Sequence, residues 1–263
     1  MSAAVAALLG VLQGLTEFLP VSSTAHLVLV PWMLGLPDPG QVFDVALHLG
    51  TLIALLVYFR RDWWDILRRP GKQLWLIVLA CIPAGILGKL FEARVEELTY
   101  PSAHPVAPLL MAGGLVFAGI LLYAADRWGA RRRGENSLRS EEALGIGAAQ
   151  AVALIPGVSR SGATISAGMA FGLTREAAAR FSFLLSAPVI AGAVLLKAAH
   201  TMRHGLPPGE GGAFAVGVVT SGIAGYVAIH FLLDYVKRHR LSLFVWYRVA
   251  FAVVVMAFWL LRR

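Results

Sequence analysis

The stretch EFLPVSSTAHLVL, Glu17 to Leu29, sets a carboxylate, two serines, a threonine and a histidine within ten residues of an otherwise apolar region. A carboxylate, a hydroxyl and an imidazole at this spacing suit proton transfer and nucleophilic attack. Glu17 follows Gln13 by four residues, so both lie on one face of a helix. His26 comes three residues after Ser23 and four after Ser22, so its ring can reach a serine hydroxyl across one turn. Ser22, Ser23 and Thr24 are also good N-cap residues. A helix that starts there presents unpaired N–H groups and partial positive charge to an anion such as phosphate. A second stretch, PGVSRSGAT, carries the complementary chemistry. Pro156 and Gly157 break the chain, Ser159 and Ser161 flank Arg160, and Gly162 allows close backbone approach. A guanidinium there can bind phosphate oxygens in bidentate fashion. A salt bridge from Arg160 to Glu17 is a compatible reading, a resting pair that opens for an anionic substrate.

The elements that must hold these residues are membrane helices. The chain has 263 residues, 58% of them hydrophobic and only 14% charged, against about 25% charged in ordinary soluble domains. Its mean hydropathy is +0.71. Spans of the length a bilayer requires are expected at about 43–59, 73–90, 107–125, 177–199, 213–235 and 243–261. The net charge of +8 does not mark a nucleic-acid binder, because the basic residues cluster in short loops. Arg60, Arg61, Arg68, Arg69 and Lys72 form one cluster. Arg127, Arg131, Arg132, Arg133 and Arg139 form a second, and Lys237, Arg238 and Arg240 a third. That is the positive-inside pattern of cytoplasmic loops, with attraction to anionic headgroups besides. Cys81 is the only cysteine, so an intrachain disulfide is excluded. The first residues lack the basic region of a cleaved signal peptide.

Two apolar segments, about 2–33 and 142–172, are interrupted by LPVSSTAH and IPGVSRSG. A proline disfavours helix in the residue before it, so helices are expected to end at Leu19 and Ile155. Each segment reads as a re-entrant hairpin, with its polar turn buried in protein. At a shift of 137, Gly10 meets Gly147, Gln13 meets Gln150, Val21 meets Val158, Ser22 meets Ser159 and Thr24 meets Ser161. The fold expected is therefore an all-α integral membrane protein, one domain over residues 1–263. It has six transmembrane helices plus two re-entrant hairpins, in two repeats at about 1–126 and 141–263. Three spans follow each hairpin, and an odd number inverts the second repeat. With the basic loops in the cytoplasm, the first hairpin opens outside, the second enters from the cytoplasm, and the two turns meet. Arg262 and Arg263 then lie outside, against the rule. Glu17, Ser23 and His26 correspond to Leu154, Arg160 and Ala163, so one half is built for proton or nucleophile chemistry and the other to hold negative charge. Asp44 and His48, four residues apart, either support the site or form a structural pair. The EARVEEL segment reads as a solvated loop, and MAGG and SGIAG as close-packing steps.

QGLTEFLPVSSTAH and PGVSRSGAT resemble the two signature motifs of the undecaprenyl-diphosphatase, or bacitracin-resistance, family. The resemblance extends over essentially the whole chain. It implies a bacterial inner-membrane enzyme that hydrolyses undecaprenyl diphosphate to undecaprenyl phosphate and inorganic phosphate, recycling the lipid carrier of cell-wall synthesis. It also implies a site facing the periplasm, a divalent cation and a link to bacitracin resistance. Glu17, Ser23, His26 and Arg160 match the family's principal functional positions. Gln13 stands where the family allows Glu or Gln, which removes one carboxylate from any metal site. On this reading Ser23 is the nucleophile and His26 its base, with His26 itself as nucleophile, or as activator of water, the rivals. Arg160 and the N–H groups around Ser22, Thr24, Gly157, Ser159, Ser161 and Gly162 hold phosphoryl oxygens. Glu17 orients His26 or, with Gln13, binds Mg2+ or Ca2+. The lipid tail stays in the bilayer, and a homodimer is a candidate assembly. A transporter or flippase of an anion or polyprenyl-phosphate headgroup is the alternative class.

Overall fold

A computed structural model describes residues 1–36, 40–100, 104–204 and 211–262. Eleven α-helices and one 3-10 turn make up its regular structure among these residues. Helix α1 (Ala3–Phe18) begins at Ser2, whose hydroxyl accepts the Val5 N–H at 3.3 Å. It stops where expected, with Leu19 extended at ψ 141° ahead of Pro20. After the turn, α2 (Ser23–Leu34) completes the first broken segment. Then come α3 (Gln41–Tyr58), α4 (Arg60–Arg68), α5 (Lys72–Thr99) and α6 (Ala107–Trp128). The second broken segment is α7 (Ser140–Val152) and α8 (Arg160–Ala170), followed by α9 (Arg175–His204), α10 (Gly211–Arg238) and α11 (Ser242–Leu261).

Helices α5, α6, α9, α10 and α11 are long and apolar enough to cross a membrane, and α3 with α4 forms a sixth candidate bent by 74°. Three details depart from the sequence expectation. First, α7 ends at Val152 rather than Ile155. The N–H groups of Ala153, Leu154 and Ile155 bond carbonyls three residues back, at 3.0, 3.1 and 3.1 Å, so the helix tightens into turns before Pro156. Second, much of the basic loop at 60–72 is helix α4. It buries Ile66 but exposes Trp64 and Leu67 beside its arginines, the composition of a helix at a membrane interface. Third, EARVEEL continues α5 to Thr99 instead of forming a loop.

The basic segments are knitted together on one face. Lys72 donates to the Asn136 carbonyl at 3.0 Å, and Arg180 donates to Asp62 at 2.5 Å. The Asp126 carboxylate accepts from Arg175 at 2.5 Å and from the Leu241 N–H, at the head of α11, at 3.1 Å. Helix α8 returns to this face, where the Gly172 carbonyl accepts the Arg133 N–H at 3.0 Å. Helix α2 finishes instead beside the far end of α11. There Arg262 donates to the carbonyls of Trp32 and Met33 at 2.6 and 3.0 Å. A cation on the last carbonyls of a helix is favourable, which accounts for an arginine at that end. Arg263 lies outside the described residues.

Small residues allow the close crossings that position the broken helices. Gly10 and Gly14 of α1 lie against Gly217, Ser221 and Gly225 of α10, and Gly147 of α7 lies against the Ala80 carbonyl of α5. Gly114, in MAGG, receives the carbonyl of Pro156. Behind the end of α1, Phe18 packs edge-on against Phe183 of α9 at 5.4 Å, within the largest apolar core.

Candidate functional site

Both breaks pass through left-handed backbone. Gly157, at φ +89°, adopts it freely, while Ser22 adopts it at φ +75° with a side chain in place. A non-glycine residue there is uncommon and costs about 1–3 kcal/mol. That conformation turns the start of α2 back toward the end of α1. The first turn then offers its carbonyls to the second half of the chain. Leu19 O accepts from the Ser161 hydroxyl at 3.1 Å, and Pro20 O from Arg248 Nε at 2.5 Å. The two polar turns therefore meet, as their spacing in the two halves predicts.

Glu17 is the centre of the meeting. Its carboxylate is 7% exposed, and each oxygen is claimed. Oε1 accepts from Arg160 Nη2 at 2.7 Å. Oε2 accepts from the Ser23 hydroxyl at 2.7 Å and from Gln13 Nε2 at 3.2 Å. His48 Nε2 stands 3.7 Å from Oε2. The last turn of α1, the first residues of α2 and α8, and the middle of α3 thus converge on one carboxylate. Arg160 reaches further, to the Ser182 carbonyl of α9 at 3.3 Å. A buried ion pair of this kind is marginal as a source of stability, and loss of either member leaves an uncompensated charge.

His26 occupies a different niche. Its Nδ1 lies 2.7 Å from the Ser22 carbonyl, which can only accept, so Nδ1 carries a proton. Nε2 faces the Tyr247 hydroxyl at 2.7 Å. The ring is stacked on Phe251 at 4.2 Å. The serine oxygen that His26 reaches across one turn is a backbone carbonyl, not a hydroxyl. The Ser23 hydroxyl is bonded to Glu17 instead.

The remaining residues expected at the site fall into two groups. Ser159 caps α8, accepting the Gly162 N–H at 3.1 Å, and shares a 2.9 Å hydrogen bond with the Ser161 hydroxyl. These two serines bind the turns to their helices and to each other. Ser22 stands at the N-cap position of α2 without a side-chain capping bond, so its expected capping role is not seen. Ser23 is half-buried beside Glu17, and Thr24 is exposed. His48 joins the site, while its Nδ1 is fixed on the Asp44 carbonyl at 2.8 Å. The motifs do not contain Tyr247 or Arg248. An arginine within the apolar run 242–261 was the available signal, since ionisable groups at membrane depth are costly and mark functional positions.

No cluster of three or more His, Cys, Asp or Glu residues suited to a metal occurs among the described residues. The donor set nevertheless fits a hard cation. Gln13 Oε1 is buried without a hydrogen-bond partner, and it is the Nε2 of the same side chain that meets the Glu17 carboxylate. One or two such oxygens, completed by substrate phosphates, are the usual way Mg2+ is held.

A family model described as Bacitracin resistance protein BacA matches residues 6–254. A protein named undecaprenyl-diphosphatase from Pelobacter propionicus is 48% identical over 257 residues, covering 93% of this chain and 92% of the relative. One of the same name from Geobacter metallireducens is 46% identical, covering 96% and 97%. Another from Moorella thermoacetica is 44% identical, covering 98% of both chains.

Proposed function

The chain belongs to the bacitracin-resistance protein family, and from that premise we propose how its buried polar centre works. The protein is a membrane phosphatase that hydrolyses undecaprenyl diphosphate to undecaprenyl phosphate and inorganic phosphate. The observation that carries our reading of the site is the double engagement of Glu17, with Ser23 on one oxygen and Arg160 on the other.

The diphosphate carries several negative charges, and Arg160 is the cation beside the candidate nucleophile. As its guanidinium turns to the terminal phosphoryl oxygens, Glu17 loses its counter-ion and becomes a stronger base. Ser23 Oγ then attacks the terminal phosphorus and passes its proton to Glu17 Oε2. The bond from that phosphorus to the bridging oxygen breaks, and undecaprenyl phosphate leaves. Water then attacks the phosphoserine, its proton staying with the inorganic phosphate released, while Glu17 returns its proton to Ser23 Oγ, so that both side chains are restored. Little covalent machinery is needed, since positioning and charge stabilisation dominate phosphoryl transfer. Proton acceptance thus moves from His26, which the spacing suggests, to Glu17, which is bonded to the hydroxyl. His26 is left to position the start of α2 through the Ser22 carbonyl. A divalent cation held by Gln13 and the phosphate oxygens would neutralise part of the diphosphate charge, with Glu17 kept as the base rather than as a metal ligand.

We read the architecture as six spans plus two re-entrant hairpins in inverted repeats. Helix α1 packs on α10 while its counterpart α7 packs on α5, the counterpart of α10. The two hairpins end beside opposite ends of α11. With the basic face in the cytoplasm of a bacterial inner membrane, the first hairpin opens to the periplasm. The transporter alternative is not favoured, because near full-length relatives carry an enzyme's name.

The test is phosphate release from undecaprenyl diphosphate by purified protein in detergent with Mg2+. Quenching during turnover should trap a phosphoenzyme that mass spectrometry locates at Ser23. A label on His26, or near-full activity in Ser23→Ala, would overturn the assignment.

A further inference from the structure

We propose that Arg248 is a second guanidinium of the diphosphate site, binding phosphoryl oxygens through its two terminal nitrogens from the side opposite Arg160. The proposal rests on the diphosphatase reading and adds a residue that neither motif contains.

Arg248 lies within α11, an apolar helix, and its side chain is 0% exposed. Among the described residues no carboxylate pairs with it. Its Nε donates to Pro20 O at 2.5 Å, while Nη1 and Nη2 have no hydrogen-bond partner. A buried guanidinium with an open fork is an expensive group to keep. An apolar side chain of equal length would pack there at lower cost, so the fork is expected to have a ligand. Its position says which ligand. Nε is anchored on the first turn, and Nη2 lies against Gly162, where a Cβ would collide with it. Gly162 is in the first turn of α8, whose leading N–H groups carry partial positive charge. The fork therefore sits between the two polar turns, at a helix N-terminus, two residues along α8 from Arg160 and so on the opposite side of that helix. A planar pair of donors in that place suits a phosphoryl group in bidentate fashion. It also explains Gly162 in SRSGAT: a side chain at that position would displace the guanidinium.

At rest Glu17 neutralises Arg160, whereas Arg248 keeps a full charge. On this assignment the incoming diphosphate meets the uncompensated cation first and then draws Arg160 from Glu17. Arg248 thereby supplies affinity that does not depend on breaking the resting ion pair.

The test uses the full chain in detergent, with inorganic pyrophosphate as the probe in thermal unfolding and undecaprenyl diphosphate as the substrate. Pyrophosphate should raise the Tm of the wild type. Arg248→Met should unfold at no lower temperature without ligand, lose the pyrophosphate shift, and release phosphate at least about a hundredfold more slowly, as expected for two charge-assisted hydrogen bonds. Arg248→Lys retains the charge and can still reach Pro20 but lacks the fork, so pyrophosphate affinity should fall about tenfold; it serves if the methionine variant does not fold. A full pyrophosphate shift in Arg248→Met, or unchanged affinity in Arg248→Lys, would assign the residue to structure alone and overturn the proposal. A wild type that binds pyrophosphate through Arg248 yet releases no phosphate from the lipid substrate would refute the enzymatic reading and support the anion site.

Discussion

The two polar turns share a sequence register but hold their residues by opposite means. In the second turn the hydroxyls are spent on structure. Ser159 caps α8, Ser161 ties the turn to Leu19, and Thr164 bonds the Ser182 hydroxyl at 2.6 Å. The hairpin is also pinned at its root, where Glu142 of α7 accepts from Arg133 Nη1 at 2.7 Å and from the Arg139 N–H at 2.9 Å. Arg160 projects from that scaffold. In the first turn, Ser22 stands at φ +75° without a side-chain cap, and Ser23 is turned onto Glu17. The second turn is a rigid mount for a cation. The first has strained backbone and a hydroxyl for chemistry. The comparison teaches that equivalent serines are to be judged by where their hydrogen bonds go, not by their place in a motif.

The most damaging way to break this arrangement is at the contact between the turns. Glu17→Gln removes the proton acceptor and leaves the half-buried Arg160 without its counter-charge. Phosphate release should fall by about a thousandfold or more, and stability by about 3–5 kcal/mol. Adding Arg160→Gln should restore much of the lost Tm while activity stays absent, because a buried pair is costly chiefly when half of it remains. Recovery of turnover in the double variant would show that the pair is structural only.

Next in size is the contrast between one serine from each turn. Ser23→Ala should lower phosphate release by about a hundredfold or more at nearly unchanged Tm. Ser159→Ala, on the scaffold side, should do the reverse: about 1 kcal/mol of stability lost with the α8 cap, and activity within about threefold. Equal catalytic losses would erase the proposed division between the turns.

That division was only partly legible in the sequence. The spans, the breaks at Pro20 and Pro156, and the convergence of Glu17 with Arg160 follow from hydropathy, proline chemistry and the cost of buried charge. The Ser23–Glu17 bond does not, because the spacing of Ser23 and His26 supposes an ideal helix from Ser22 onward. The left-handed Ser22 swings Ser23 away from His26 and toward α1. Tyr247 and Arg248 lie more than two hundred residues from the first turn and reach it only through tertiary packing. Helix α4 was hidden by its own arginines, which read as a loop although Trp64, Ile66 and Leu67 supply an apolar side. His48 was visible as a candidate, but only the packing of α3 against α1 shows that it faces Glu17.

A smaller effect tests the niche of His26. Tyr247→Phe removes the hydroxyl at Nε2 while keeping the ring at the edge of the site. If His26 positions α2 through the Ser22 carbonyl, kcat should fall by no more than about tenfold, one neutral hydrogen bond at most, and the pH profile of kcat should keep its shape. A displaced acidic or basic limb would make His26 a titrating participant and move proton acceptance back from Glu17.

The smallest effect lies at the root of the second hairpin, on the basic face. Hydrogen bonds from Arg133 hold the Glu142 carboxyl down from 4.5 to about 2. A carboxylate whose folded pKa is depressed adds stability that is full above its unfolded value and is lost as pH falls through the folded one. The contribution should therefore be constant from pH 7 to about 5 and decline between 4.5 and about 2. Arg133 and Arg139 are partly exposed, so the expected size is about 1–2 kcal/mol. In thermal unfolding, Glu142→Gln should lie below the wild type at pH 7, and the gap should narrow below about pH 4.5 and close as pH approaches about 2. Its activity at pH 7 should remain within about threefold, because the variant loosens the mount of Arg160 without touching the contact Arg160 makes. If Glu142→Gln lost activity as Glu17→Gln does, the second turn would be more than a scaffold, and the contrast between the two turns would fail.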